Sequence, residues 1–520
     1  MAQRVNLDAM IPREDFAREI KGATTAPRNI TELKLSDLLP DAAIRRQLRK
    51  PEFQRETNHW KPDQVVKLIT SFLDEDVIPS IILWRSANFI FVIDGAHRLS
   101  ALCAWIQDDY GFGTASKTLY SDEISDEQKR VDERVRKMIK SVGTYADLDR
   151  LVGKAAPGKA GERAGAMNTQ PIIVQTVKGT AKAAEDSFFA INKQGTALDE
   201  TEEYLIRNRH KPISIGARAI VRAGSGHPYW SSYSQANQEE VVRLAKELHR
   251  ILFEPEVTSP LKTLDLPLAG SKSPVDALAV LLDFLTVADP RAHLDKMADD
   301  PSLPKTDESG TQTIEALKNG LKIAHRVTGN SGESLGLHPA VYFSNDKGKH
   351  SRFLFLGMCA LVAERLRNND DNWFRKFTKA RKGIETFLIA NKSVIGIVLQ
   401  NLGKKTRIPR MQQMFRFLVE ECSKGEAPDT QTVFSHIGLR GKIYDVTAIP
   451  RTVTFSDDTK SQIYYRTAIE TAQKCPICSG LIDVTKSVSY DHITRVRDGG
   501  LGAAENGQMV HPYCNTAMKG

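Results

Sequence analysis

Four residues near the C-terminus have the types and the spacing of a metal site. Cys475 and Cys478 stand in "CPIC", and His511 and Cys514 in "HPYC". Thiolates and imidazole are the ligands zinc prefers. Each two-residue spacer turns both side chains of its pair inward, so the pairs can close a tetrahedral Cys3His site. So short a segment cannot build a core unaided, and a structural zinc would be its staple. The bland alternative is two unrelated surface pairs. Inside the frame lies "SYDHITRVRDGG", with Asp491 and His492 side by side. Alone the dipeptide says little, because a His in a polar stretch is more often a surface residue than a catalyst. Its flanks say more. "SVSY" before it reads as a strand, "RDGG" as a turn and "QMV" as a second strand, with Asn506 between and Asn515 beside the last cysteine.

The order CxxC, DH, GG, N, HxxC-N resembles the HNH endonuclease family over about residues 470–520. The core of that family is a ββα-metal hairpin and helix. The resemblance implies that His492 is a general base and that Asp491 and Asn515 hold a catalytic divalent ion, with Mg²⁺ suited to oxygen ligands. It implies that Asn506 braces the loop that orients His492. Asn515 stands where the family usually has a third His, and His511 replaces a more usual Cys of the zinc frame. The chemistry suits these residue types. Breaking a phosphodiester needs an activated water, charge stabilisation and help for the leaving 3′ oxygen. A neutral imidazole takes a proton near neutral pH, and a divalent ion stabilises phosphate and leaving oxygen. The alternative is a zinc knuckle that binds nucleic acid without cutting, which needs neither the DH pair nor the trailing Asn.

A second constellation lies in "FVIDGAHRLSALCAW". A strand ends near Ile93, Asp94 and Gly95 turn, and a helix starts with His97 and Arg98. Gly95 lets the backbone turn sharply and approach a ligand. A helix N-terminus offers N–H groups to a phosphate, and Arg98 adds a forked cation. A structural turn is the plain alternative. "FQRETNHW" places Gln54 and Arg55 ahead of Trp60, and "FFAINKQG" places Asn192 after a helix. Together, over about residues 30–210, these stretches resemble the ParB/sulfiredoxin-like fold. The nearer resemblance is to the DGQQR-motif domain at the N-terminus of GmrSD-type and SspE-type restriction proteins. That resemblance implies nucleotide binding (GTP, ATP or CTP), often with hydrolysis, at Gln54, Arg55, Asp94, Gly95, His97, Arg98 and Asn192. Here the motif is DGAHR. Loss of the two glutamines bears on hydrolysis more than on binding.

These sites need elements to position them. The 520 residues suggest two or three domains, and the 41% hydrophobic content suffices for packed cores. Lys and Arg outnumber Asp and Glu, 72 to 64, a mild excess that permits a polyanionic partner. The first residues lack an apolar stretch of secretory type, and few cysteines suit a reduced cytoplasmic protein. "ALAVLLDFLTVA" is too short to span a bilayer and carries Asp283, so it reads as a buried helix and no membrane partner is expected. Residues 1–29 read as a loosely ordered arm. Helical spacing marks 60–79 and 97–106, and short β-branched runs mark "SIILW", "FIFVI" and "PIIVQTV" as strands. Residues 153–168, rich in Gly, Ala and Lys, read as a flexible loop.

The expected fold is multidomain α+β. It comprises a ParB-like α/β domain over 30–212, a mostly helical connector over 213–460 and a zinc-stapled ββα-metal HNH domain over 461–520. The resemblances imply a DNA endonuclease of an anti-phage restriction system, acting on phage or modified DNA and nicking as its simplest product. Its N-terminal domain would sense DNA or couple nucleotide to cutting. Other defence-system subunits and an oligomer are compatible partners. Two other classes stand beside this one: a nucleic-acid-binding regulator that does not cut, and an NTPase effector whose nucleotide turnover is the main activity.

Overall fold

The computed structural model describes residues 4–16, 30–52, 54, 57–86, 88–120, 124–194, 200–270, 274–289, 306–425, 427–439 and 454–518, apart from the side chains of 192–194 and 274–276. The chain divides into two compact units. One comprises Met1–Arg209 with Ser225–Tyr229, and the other His210–Gly224 with Trp230–Gly520.

The first unit is built on a six-stranded sheet. Its strands are β1 (Arg13–Glu14), β2 (Glu32–Leu33), β3 (Leu48–Pro51), β4 (Ile81–Arg85), β5 (Ile90–Asp94) and β6 (Ile172–Val177), in the order β1-β3-β5-β4-β6-β2. β3 runs parallel to β1 and β5, and β4 runs antiparallel to β5 and parallel to β6. The runs of β4 and β5 are mostly apolar because both faces of the sheet are covered there, whereas β6 leaves Ile173 and Gln175 exposed. Ile90 and Val92 point into one core with Val65, Ile69, Leu99 and Trp105 of the Pro62–Leu73 and Ala96–Gln107 helices. Their neighbours Phe91 and Ile93 point into the other, with Phe16, Trp84 and Phe188.

Two stretches differ from the sequence expectation. In the segment read as a loose arm, Val5, Leu7, Met10 and Ile11 are fully buried, and β1 joins the sheet edge. The anchor is polar. Asp8 accepts from Arg13 (2.8 Å), Lys50 (2.6 Å) and the Thr57 amide (3.2 Å), all buried. That partnership joins distant residues and leaves no local pattern. The segment read as a flexible loop contains the Lys159–Thr169 helix. Its alanines favour helix, and the buried stem of Arg163 supplies the missing packing while its guanidinium pairs with Asp74 at 2.7 Å.

The second unit is mostly helical. The stretch containing Asp283 is the Pro274–Ala288 helix, with Leu281, Phe284 and Leu285 fully buried. Asp283 is neutralised by an ion pair with Arg352. Among the described residues no single helix is long and apolar enough to cross a membrane. The expected connector and C-terminal domain both fall in this unit. At its end β7 (Ser489–His492) pairs antiparallel with β8 (Gly507–Val510), and the Pro512–Ala517 helix follows. This small ββα assembly is stitched to the 328–336 loop. Gly329 N–H donates to Ser487 Oγ (2.9 Å), Val488 N–H to Asn330 Oδ1 (2.9 Å) and Tyr513 N–H to Ser334 O (3.0 Å).

Candidate functional site

The four C-terminal ligand candidates converge. The ligand atoms of Cys475, Cys478, His511 and Cys514 lie within 4.8 Å of one another, and all four residues are buried. The first pair sits on a tight turn, where Ser479 N–H donates to Cys475 O (2.8 Å) and Cys475 N–H to Gly480 O (2.8 Å). The second pair flanks the start of the Pro512–Ala517 helix. His511 Nε2 donates to Leu481 O (2.9 Å), which leaves Nδ1 as the acceptor, 3.3 Å from Cys478 Sγ. Fixing the tautomer from behind is how protein zinc sites orient an imidazole. Burial pushes the His511 imidazole below its ordinary range, which keeps it neutral. Hydrogen bonds from Cys478 and Cys514 hold the Cys475 thiol well below its ordinary range. The donor set, burial and tautomer fit a structural zinc.

The frame extends into the helices. The Leu481 N–H donates to Glu385 Oε2 (2.7 Å). Glu385 Oε1 accepts from Arg381 Nε (2.7 Å) and Tyr342 Oη (3.0 Å). Arg381 also donates to Leu335 O (2.6 Å) and Gly336 O (2.8 Å). Arg381 and Glu385 are 1% and 2% exposed, so this buried pair is fully satisfied.

On the hairpin, Asp491 stands in register with Gln508, whose Nε2 donates to Asp491 Oδ2 at 3.0 Å. Asp491 shares a strand face with Ser489. Asn515 Nδ2 donates to Ser489 Oγ (2.8 Å) and Tyr490 O (3.2 Å). The carboxamide nitrogen is thereby used on β7. His492 ends the strand opposite Gly507, which has no side chain to crowd it. Asn506 ties the following loop. Its Oδ1 accepts from Thr494 N (2.7 Å), and its Nδ2 donates to Thr494 O (3.0 Å) and Leu501 O (2.9 Å).

In the first unit, Gly95 turns β5 into the Ala96–Gln107 helix with φ of +91°. That positive φ is what calls for glycine, and a Cβ there would also press on Ile81 Cδ1 at 2.4 Å. Gln54 is buried and its Nε2 donates to Ile93 O (3.3 Å), which brings it to this turn. Arg98 folds back on Asp94 (2.7 Å) and Ser80 O (3.1 Å). His97 stacks on Trp60 at 5.5 Å, with His59 edge-on at 6.0 Å. Gln54 Oε1 and Arg98 Nε are buried with no hydrogen-bond partner among the described residues. Arg55 and the Asn192 side chain lie outside the described residues, and Asn192 falls inside the Ala181–Gln194 helix rather than after it, because the helix runs on through the Lys-Gln that follow. An open groove in the same unit, lined by Lys182, Glu185, Asp186, Phe189, Arg207 and Arg209, includes none of the expected residues.

Residues 35–211 match the family model of the GmrSD restriction endonuclease N-terminal domain. No curated protein and no solved structure matches the chain. The GmrSD N-terminal match spans Gln54, Asp94, Gly95, His97 and Arg98, and stops far short of the Cys3His cluster. Sequence reasoning missed His59, whose Nε2 lies 3.3 Å from Glu202 Oε1. It also missed Arg381 and Glu385. The i, i+4 spacing of an Arg and a Glu in a helix was visible, but that pattern is ordinary on solvated faces.

Proposed function

We propose that this chain is a metal-dependent DNA endonuclease of a phage-restriction system, with an HNH-type site in the ββα assembly and control exerted through the GmrSD-type N-terminal unit. The observation that carries this reading is the placement of Asp491, His492 and Asn515 on one hairpin-and-helix whose loop Asn506 braces and whose base the Cys3His cluster holds. The family match to a restriction endonuclease N-terminal domain supports the restriction context.

In this reading Asp491 and the Asn515 oxygen hold Mg²⁺, which when bound stabilises charge on the phosphate and leaving oxygen. His492 accepts a proton from the attacking water at a neutral imidazole nitrogen. Gln508 orients the Asp491 carboxylate, and Asn506 fixes the backbone leaving His492. Arg98 Nε, a buried donor without a hydrogen-bond partner beside Gly95, supports a nucleotide phosphate site that controls cutting. Asp94 already occupies one face of Arg98, so a phosphate there would have to share or displace that ion pair. The division into a 30–212 nucleotide domain, a 213–460 connector and a 461–520 nuclease domain belongs to this proposal.

The test is supercoiled plasmid from modified and unmodified phage-type DNA, with Mg²⁺, and with or without GTP, ATP or CTP. The intact chain should nick it. His492→Ala should lower the rate by roughly a hundredfold or more while keeping its zinc. A plasmid left intact under every condition, with binding equal in both proteins, would leave a non-cleaving nucleic-acid-binding protein.

A further inference from the structure

The described residues include nine large apolar side chains that are exposed, and four of them, Tyr490, Ile493, Val496 and Leu501, fall within twelve positions of the ββα assembly. Val496 and Leu501 are 67% and 77% exposed. Clustered apolar exposure on a soluble surface marks a contact site.

The loop that carries them is held in shape. Asn506 ties Thr494 and Leu501 together, and Gly500 N–H donates to Arg495 O (3.0 Å). Gly499 has φ of +87°, and a Cβ on Gly500 would lie 1.9 Å from Thr494 O. The apolar tips are thus preorganised, and little ordering is needed when a partner arrives. Tyr490 shares the β7 face of His492 by strand alternation, and Ile493 follows His492 directly. A phosphodiester delivered to His492 must lay its neighbouring nucleotides on this surface. Arg495 and Arg497 flank Val496, with Val496–Asp498 in a single helical turn, so two forked cations bracket an apolar tip. Phosphates suit the cations. The apolar tip has no partner on a phosphate backbone, and the faces of bases that have come apart offer it more apolar surface than the thymine methyls of a closed groove.

We propose that the 493–501 loop is an apolar wedge with which this chain engages a locally unstacked step of duplex DNA beside the bond to be cut. The proposal rests on the nuclease reading above and names its substrate class: duplex that opens readily, at pyrimidine–purine steps, mismatches or under negative supercoiling.

The full chain is used for the test. In a His492→Ala background, a short duplex carrying a fluorescent purine analogue at a central TA step reports unstacking without cleavage. Binding should raise its fluorescence several-fold. Adding Val496→Ser and Leu501→Ser should abolish that rise while salt-dependent binding persists, with zinc content unchanged. In the chain with His492 intact, the same serines should slow cutting of a fully paired duplex by roughly tenfold or more and spare a duplex with a preformed bubble. A fluorescence rise that survives both serines overturns the wedge, as does an equal loss of cutting on paired and bubbled DNA. If the serines convert a dimer to a monomer and leave the DNA responses alone, the patch joins copies of the chain and the proposal falls. If the unsubstituted chain cuts neither duplex, the nuclease reading fails, and the fluorescence rise alone decides the wedge.

Discussion

Glu385 is the residue on which the Cys3His cluster leans from outside. One of its oxygens takes the Leu481 N–H, whose carbonyl in turn takes His511 Nε2, and the other takes Arg381. Glu385→Gln would keep an acceptor for Leu481 and leave Arg381 as a buried cation without a counter-charge. Such a loss typically costs about 3–5 kcal/mol. The second unit should therefore melt earlier in this variant, and zinc should pass faster to a competing chelator, both readable in one thermal and colorimetric titration. An unchanged melting curve would mean the pair is dispensable. Glu52 gives a pH signature to the first unit. Burial pushes its carboxyl up from 4.5 to about 7, against the pull of Arg209 at 2.9 Å. A carboxyl raised in the folded state adds stability below its free value and loses it as pH rises through 7. The loss amounts to at most about 3 kcal/mol. Stability of this unit should thus decline from about pH 4.5 to 7, and Glu52→Gln should flatten that slope in denaturant titrations across the range.

At the scale of elements, the hairpin and its loop carry the proposed site. The register sets Asp491 against Gln508 and His492 against Gly507, and a slip by one residue would reverse every face. The loop between the strands depends on glycine at one point in particular. Gly500→Ala would drive a methyl group into Thr494 O and break the grip of Asn506. Nicking should then fall by roughly ten- to a hundredfold, while zinc content stays at the level of the unsubstituted chain. A variant that nicks normally would show that the loop need not be rigid. The helices at 62–73 and 96–107 and the central strands were legible because their periods are strong, whereas the first hairpin strand, expected over 487–490, runs over Ser489–His492 and carries the DH pair itself. The Lys159–Thr169 helix was not, because its packing face is made of small alanines, one methionine and the stem of Arg163 rather than a row of large apolar side chains.

At the scale of the molecule, the Cys3His cluster couples the ββα assembly to the helical body of the second unit. Ser487, Val488, Tyr513 and Thr516 bond to the 328–336 loop, and the frame itself reaches Glu385 and Arg381. An isolated 461–520 fragment lacks those partners. It should lose zinc to a chelator at least about tenfold faster than the full chain, the scale set by loss of the groups that orient a ligand. Equal rates would show that the assembly holds its metal alone. The sequence by itself determined which residues form the metal frame, since ligand type and a two-residue spacing are local. It also determined the strand-glycine-helix turn and the central strands, whose apolar runs are local. Only the tertiary structure decided that Val5, Leu7, Met10 and Ile11 are core, and that Glu385 reaches the Leu481 N–H beside the Cys3His cluster. The physical reason is distance along the chain. Asp8 meets Lys50, Glu385 meets Leu481, and Asn330 meets Val488, and no short-range period encodes such meetings.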